Sequence, residues 1–292
     1  MRIKRIAAFA AAATLALGMT ACGGDDADEA ATGETKDFAA GSTMERLNKA
    51  QSIKIGTKFD QPLFGLKGLD GDPQGFDVEI GKVIAAELGI PESKIEWVET
   101  PSAVREQRIE ESAVDLVIAT YTINDTRKER IDFAGPYYIA GQTILVRADE
   151  SEITGPDSFK TTTKKVCSVQ GSTPAKNIEP YLSNVAEQLV VFDVYTKCLD
   201  ALKGGQVDAI TTDNVILTGY MSQNEGQFKL AGETFTEEPY GIGLKKGDND
   251  FRTFLNDTLE ASFTDGRYLE AWKNTAGKVD SADPKIPTVN RY

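Results

Sequence analysis

The sequence predicts an α/β fold of two lobes, each a mostly parallel sheet flanked by helices, joined by a two-strand hinge. Three observations carry this. From residue 52 onward, short β-branched runs alternate with stretches of helical period, the pattern of parallel strands linked by crossover helices. The alternation starts afresh after about residue 147. The roughly 245 residues beyond position 45 are large for one core and natural for two.

Taken in order, SIKIGTK (52–58) alternates apolar and polar residues and reads as a strand. QGFDVEIGKVIAAELG (74–89) places Phe76, Ile80, Val83, Ile84 and Leu88 on one helical face and stops at Gly89. A strand over 93–100, a helix over 103–112 and a strand over 114–120 complete a βαβαβ unit. The second unit has strands at 164–170, 187–192 and 207–212, with helices from Thr173, over 194–205 and over 214–224. A strand at 240–247 follows, then helices at 249–266, with Phe251, Phe254, Leu255, Leu259 and Phe263 on one face, and at 268–275. These last helices have no sheet of their own and return to the first lobe. The first lobe is therefore 46–141 with 239–292, the second 142–238, and the crossings near 139–147 and 235–244 form the hinge.

The N-terminus has the three-part layout of a secretory signal over residues 1–21: Arg2, Lys4 and Arg5, an apolar run from Ile6 to Met19, then small residues. MTAC (19–22) resembles a bacterial lipobox, in which Cys22 becomes the acylated first residue of the mature chain; the alternative is ordinary signal cleavage. Residues 22–45 are acidic and small, unable to bury enough surface to offset their ordering entropy, and read as a flexible tether.

The net charge is −13, and removal of Arg2, Lys4 and Arg5 with the signal makes it −16. That opposes nucleic acid and anionic lipid as partners. The chain has no histidine, which removes imidazole catalysis and histidine metal sites. Cys167 and Cys198 form an even pair in a secreted chain and read as a disulfide, against two buried thiols. No metal or cofactor is indicated.

Parallel sheets take ligands beyond the C-terminal ends of their strands. Four such ends stand out. Thr120 and Thr122 follow DLVIA, with Arg127 in the turn begun by Asn124; two hydroxyls and a guanidinium make a carboxylate receptor, or else a helix cap with a surface arginine. QGSTPAKN (170–177) places Thr173 as N-cap before Pro174. Asp213 closes VDAITT and is placed either to meet an ammonium or to cap a helix. Lys58 ends the first strand and would pair with a second acidic group, or be solvated.

IKIGTK, GFDVEIGKVIAAELG, ATYTINDTRKERIDFAGPYY, VQGST and GQVDAITTDN stand in the order found in the polar amino acid-binding proteins of ABC importers, the type 3 solute-binding family, which the chain resembles over about residues 50–278. TKFDQPLFG with the cysteine pair is most similar to the glutamate-binding lipoproteins of actinobacteria. The resemblance implies the type II periplasmic-binding-protein fold. It places Arg127 on a ligand α-carboxylate with Thr122, Ser172 and Thr173, and Asp213 on the α-ammonium with Thr120 nearby. It places Lys58 on a side-chain carboxylate, Tyr121 on the apolar side of the pocket, and Asp77 in a structural role. The implied protein is a lipid-anchored, extracytoplasmic monomer that closes on glutamate, or next on aspartate, and hands it to permease subunits. The alternatives are a glutamine or asparagine binder, or a dehydratase-like enzyme on the same fold, for which only carboxylates such as Glu79, Glu237 and Glu238 remain and no acid–base pair is evident. A sensor ectodomain is a third reading.

Overall fold

The structure, a computed structural model, describes residues 34–69 and 71–292. The signal at 1–21 and Cys22 lie outside the described residues. Strand and helix alternate as α1 (Thr43–Ala50), β1 (Ile53–Thr57), β2 (Asp60–Gln61), β3 (Gly65–Leu66), α2 (Phe76–Glu87), β4 (Ile95–Glu99), α3 (Arg105–Glu110), β5 (Leu116–Val117), α4 (Asp125–Lys128) and β6 (Asp132–Ala140). There follow β7 (Gln142–Arg147), β8 (Val166–Val169), α5 (Thr173–Asn177), α6 (Val185–Gln188), β9 (Leu189–Phe192), α7 (Tyr195–Lys203), β10 (Ala209–Asp213), α8 (Asn214–Ser222) and β11 (Phe228–Leu230). Then come β12 (Glu238–Leu244), α9 (Asn249–Asp265) and α10 (Arg267–Asn274).

Two five-stranded sheets result, ordered β4–β1–β5–β12–β6 and β11–β7–β10–β8–β9. In each, four strands point one way and one runs against them: β12 in the first sheet, β7 in the second. The two odd strands are those on which the chain has just arrived from the other sheet. The crossings lie side by side at Gly141, where an added Cβ would come within 2.8 Å of the Thr234 side chain and 2.9 Å of the Thr236 carbonyl. Only a residue without a side chain fits there.

The helical periods read from the sequence become the buried faces. Phe76, Ile80, Ile84 and Leu88 of α2 and its C-cap, and Phe251, Leu255 and Leu259 of α9, join Ile53, Ile55, Trp272 and others in the first core. The second sheet packs Leu145, Ile210, Leu202 and Tyr220 on one face, and Ile144, Val146 and Phe159 on the other. Cys167 on β8 is bridged to Cys198 on α7 across a sequence separation of 31, with Cα atoms 5.6 Å apart. On the chain-entropy model such a loop contributes roughly 3–4 kcal/mol.

Three differences from the sequence reading concern local chemistry. The acidic segment expected to run as a tether to 45 is engaged earlier: Asn48 donates to the Glu34 carbonyl, Phe38 meets Phe254 edge-on, and α1 begins at Thr43, capped by Ser42. The strand expected over 114–120 pairs only at Leu116–Val117, because the chain then bends into the site. The segment 132–147, where the sequence marks only a crossing near 139–147, forms two long strands; the Gly135–Pro136 pair hides β6 from a pattern reading. No helix among the described residues is long and apolar enough to cross a membrane.

Candidate functional site

The C-terminal ends of β1, β5, β8 and β10 converge where the sheets face each other. The lobes touch there. Gly171, with φ +75°, approaches Ala103 so closely that a Cβ would lie 2.7 Å from its Cα. Asp60 of the β2–β3 hairpin accepts the Tyr195 N–H at the start of α7 (2.7 Å), and its carbonyl accepts the Tyr220 hydroxyl (2.6 Å).

Between them lies a cavity of about 10 Å³, lined by Gln61, Ser102, Arg105 and Thr120 from the first lobe and by Ser172, Thr173, Pro174, Tyr195, Thr212, Asp213 and Ile216 from the second. That is room for about one water, so the space an amino acid needs opens only as the lobes part. Larger surface clefts exist, but the charged groups of the one between Pro62 and Lys278, Asp72 and Lys278 themselves, are exposed. In the small cavity the charges are buried.

Arg105 is only 2 % exposed. Its Nη1 donates to the carbonyls of Ala119 (3.0 Å) and Thr120 (3.4 Å), while its Nε has no partner. Among the described residues it makes no ion pair. Asp213, at the end of β10, is 3 % exposed. It stands in the N-cap position of α8 but makes no capping bond. Its Oδ2 accepts the Tyr240 hydroxyl (2.5 Å), and its Oδ1 has no partner. Burial, with Glu238 nearby, raises its pKa to about 7. The capping reading of Asp213 is thereby set aside.

The backbone around Arg105 is strained. Thr120 has φ +45°, costly for a β-branched residue. The Asp77 carboxylate holds it by accepting the Thr120 N–H (2.7 Å) and, on its other oxygen, the Tyr137 hydroxyl (2.6 Å). Asp77 thus has the structural role expected of it. The kink turns the Thr120 hydroxyl toward Gln61 Oε1 (2.9 Å) at the cavity wall.

Of the residues singled out in the sequence, Thr120, Ser172, Thr173 and Asp213 line this cavity; Lys58, Tyr121, Thr122 and Arg127 do not. Lys58 is buried one step behind it, donating from Nζ to Ser102 Oγ (2.7 Å). Burial, then the Arg105 charge, lowers its pKa to about 7. Tyr121 is core rather than pocket wall: it packs edge-on against Phe133 and carries the guanidiniums of Arg105 and Arg127 at 4.1 and 4.9 Å from its ring. Arg127 has its donors engaged, by Glu106 Oε1 (3.1 Å), the Thr122 carbonyl (2.7 Å) and, across the lobes, the Gly171 carbonyl (3.1 Å). Thr122 and Thr173 both direct their hydroxyls to Glu238 Oε2, at 2.7 and 2.8 Å. The N-cap of α5 is Ser172, not Thr173: Ser172 is extended and its Oγ accepts the Ala175 N–H (3.1 Å), which leaves the Thr173 hydroxyl free for Glu238.

Arg105, Ser102, Gln61 and Tyr195 were not singled out from sequence. Arg105 did carry a signal. It is the first residue of α3, where a cation opposes the helix dipole, and such a placement needs another reason.

The chain is similar to glutamate-binding protein GluB of Corynebacterium glutamicum, 39% identical over 94% of this chain and 91% of that one. It is similar to the ABC transporter glutamine-binding protein GlnH of Bacillus subtilis, 36% identical over 87% of this chain and 90% of that one. Among solved structures it resembles an ancestral arginine-binding protein bound to glutamine, with a TM-score of 0.71 and 32% identity over 77% of this chain and 97% of that chain. These are binding proteins, not enzymes. With the family model matching residues 53–274, the chain belongs to the bacterial extracellular solute-binding proteins, family 3.

Proposed function

We propose that this solute-binding protein captures an acidic amino acid, L-glutamate first and L-aspartate next, by closure of its two lobes, and delivers it to the permease subunits of an ABC importer. The observation that carries the proposal is a pair of buried, opposite charges, Arg105 and Asp213, that face one small cavity and each keep one polar atom without a partner. An unpaired buried charge is costly, and a zwitterion that satisfies both removes the cost at once. The α-ammonium goes to Asp213 Oδ1 and the side-chain carboxylate to Arg105, with Ser102 and Lys58 behind it. The α-carboxylate goes to the Ser172–Thr173 turn, which Arg127 reaches by exchanging the Gly171 carbonyl for the ligand. GluB and GlnH, by their names, bind glutamate and glutamine, which supports an amino acid of this size. The chain is proposed to act as a monomer held at the outer face of the cell membrane through acylated Cys22.

Titration calorimetry tests the ligand class and its charge. Glutamate is expected to bind more tightly than glutamine. A ligand carboxylate raises the pKa of Lys58 from about 7, so the Lys58 contribution is present at low pH and fades as pH rises through the raised value. An ammonium lowers the pKa of Asp213 from about 7, so that contribution is present at high pH and fades as pH falls. Glutamate binding should therefore take up protons at pH 8, visible as an enthalpy that varies with the buffer, and release them at pH 6. Glutamine should show the release without the uptake. No heat with any amino acid would defeat the proposal; equal uptake with both ligands would remove Lys58 from the side-chain end.

A further inference from the structure

Glu238 opens β12, the strand on which the chain re-enters the first lobe, and is 2 % exposed. Among the described residues it makes no ion pair. Its carboxylate is instead satisfied by four neutral donors. Oε2 accepts the hydroxyls of Thr122 (2.7 Å) and Thr173 (2.8 Å); Oε1 accepts Asn177 Nδ2 (2.9 Å) and the Thr236 hydroxyl (2.9 Å). These donors come from three separate places. Thr122 belongs to the loop after β5, Thr173 and Asn177 to α5 of the second lobe, and Thr236 to the crossing segment.

A buried carboxylate needs strong compensation, and neutral hydroxyls supply it only while all of them stay in place. Rotation of the second lobe away from the first would remove Thr173 and Asn177 together and leave Glu238 under-satisfied. The attachment of Glu238 to the first lobe is firm. Ile123 N–H donates to the Pro239 carbonyl (2.8 Å), Gly241 N–H to the Tyr121 carbonyl (2.9 Å), and Thr122 pairs with Tyr240. Two residues along the strand, and so on the same side of it, Tyr240 donates to Asp213 Oδ2 (2.5 Å). One strand thus touches α5 through Glu238 and the end of β10 through Tyr240, two of the second-lobe elements that line the cavity. The hydroxyl protons of Thr122 and Thr173 are also committed to Glu238, so these threonines orient the latch and do not donate those protons to a ligand.

We infer that Glu238 is the positioning residue for closure: it registers the second lobe on the first and so affects the affinity for every ligand of the cavity by the same factor. This rests on the amino acid-binding reading above, but its first readout needs no ligand. Spin labels at Lys94→Cys and Glu225→Cys, one exposed position on each lobe, report the interlobe distance by pulsed electron resonance. Glu238→Ala should shift the distribution toward longer distances in the absence of amino acid. It should weaken glutamate and glutamine together, on the order of 10- to 100-fold for the lost charge-assisted hydrogen bonds, with their ratio unchanged. Glu238→Gln, which keeps shape and hydrogen-bonding capacity but not the charge, should lie between the wild type and Glu238→Ala in both readouts and serves if the alanine variant folds poorly. An unchanged distance distribution overturns the inference, as does a ratio altered more than about 3-fold, which would make Glu238 a ligand contact. A wild type that binds no amino acid would fail the functional proposal and leave the distance measurement to decide the latch.

Discussion

Asp213→Asn is expected to abolish measurable binding of glutamate, aspartate and glutamine alike. The carboxylate has been taken out of water at the end of β10, and one oxygen is held by Tyr240 while the other faces the cavity unpartnered. Burial and the neighbouring Glu238 already lift its pKa to about 7, the mark of an anion waiting for a cation. Asparagine keeps the shape, but it removes the charge that an α-ammonium needs when it leaves water. Losing one partner of a buried pair costs about 3–5 kcal/mol, or a loss in affinity on the order of 10²–10³-fold or more. All amino acids share the ammonium, so all should lose equally. Fold stability should hold or rise, because a group raised from 3.8 to about 7 destabilises the folded state as pH climbs through that value, and asparagine has no such penalty. Calorimetry with each ligand checks the binding, and thermal melts at pH 6 and 8 check the stability. Affinity retained within about tenfold would place the ammonium elsewhere.

Arg105→Met is expected to act on one class of ligand more than another. Methionine keeps much of the volume and loses the guanidinium. Glutamate and aspartate should weaken on the order of 10²-fold, as a buried charge-assisted contact implies, while glutamine weakens less and the preference for acidic ligands collapses. Some stability is lost as well. Arg105 bonds the Ala119 and Thr120 carbonyls at the strained turn, and leaving them unpaired costs about 1–3 kcal/mol. A second consequence separates charge from packing. Arg105 is the next cause after burial of the lowered Lys58 pKa, so Lys58 should titrate higher in the variant, and the proton uptake at pH 8 should shrink. Equal loss for glutamate and glutamine would take Arg105 away from the side-chain carboxylate.

How far the sequence carried the reading depends on how local the cause was. The apolar faces of α2 and α9 and the strands β8 and β10 follow from period alone, because each is an extended, regular pattern with one buried side. Asp213 and Thr173 were findable because strand ends and helix starts in a parallel sheet must point to the cleft, while Ser172 came only with the family resemblance. Arg105 was not found, because in AVREQRIEES it looks like any helix-surface arginine; only the Ala119 and Thr120 carbonyls beyond β5 and the ring of Tyr121 around it make it a buried charge. Glu238 appeared from sequence only as one carboxylate an enzyme might use. Its four donors lie 2 to 116 positions away, a convergence that no pattern along the chain encodes. Arg127 and Lys58 were read as direct contacts, yet the one spends its donors on Glu106 and two carbonyls and the other is screened from the cavity by Ser102. Side-chain reach, unlike strand order, depends on neighbours supplied by distant segments.

The most direct measurement is a crystal structure of the protein grown with L-glutamate. A carboxylate oxygen should lie within about 3.2 Å of Arg105 Nε, and the α-nitrogen within about 3.2 Å of Asp213 Oδ1, so that the two atoms now without partners are both satisfied by one molecule. Glutamate bound with either atom still unpaired, or density outside the cavity between the two sheets, would contradict the proposed site.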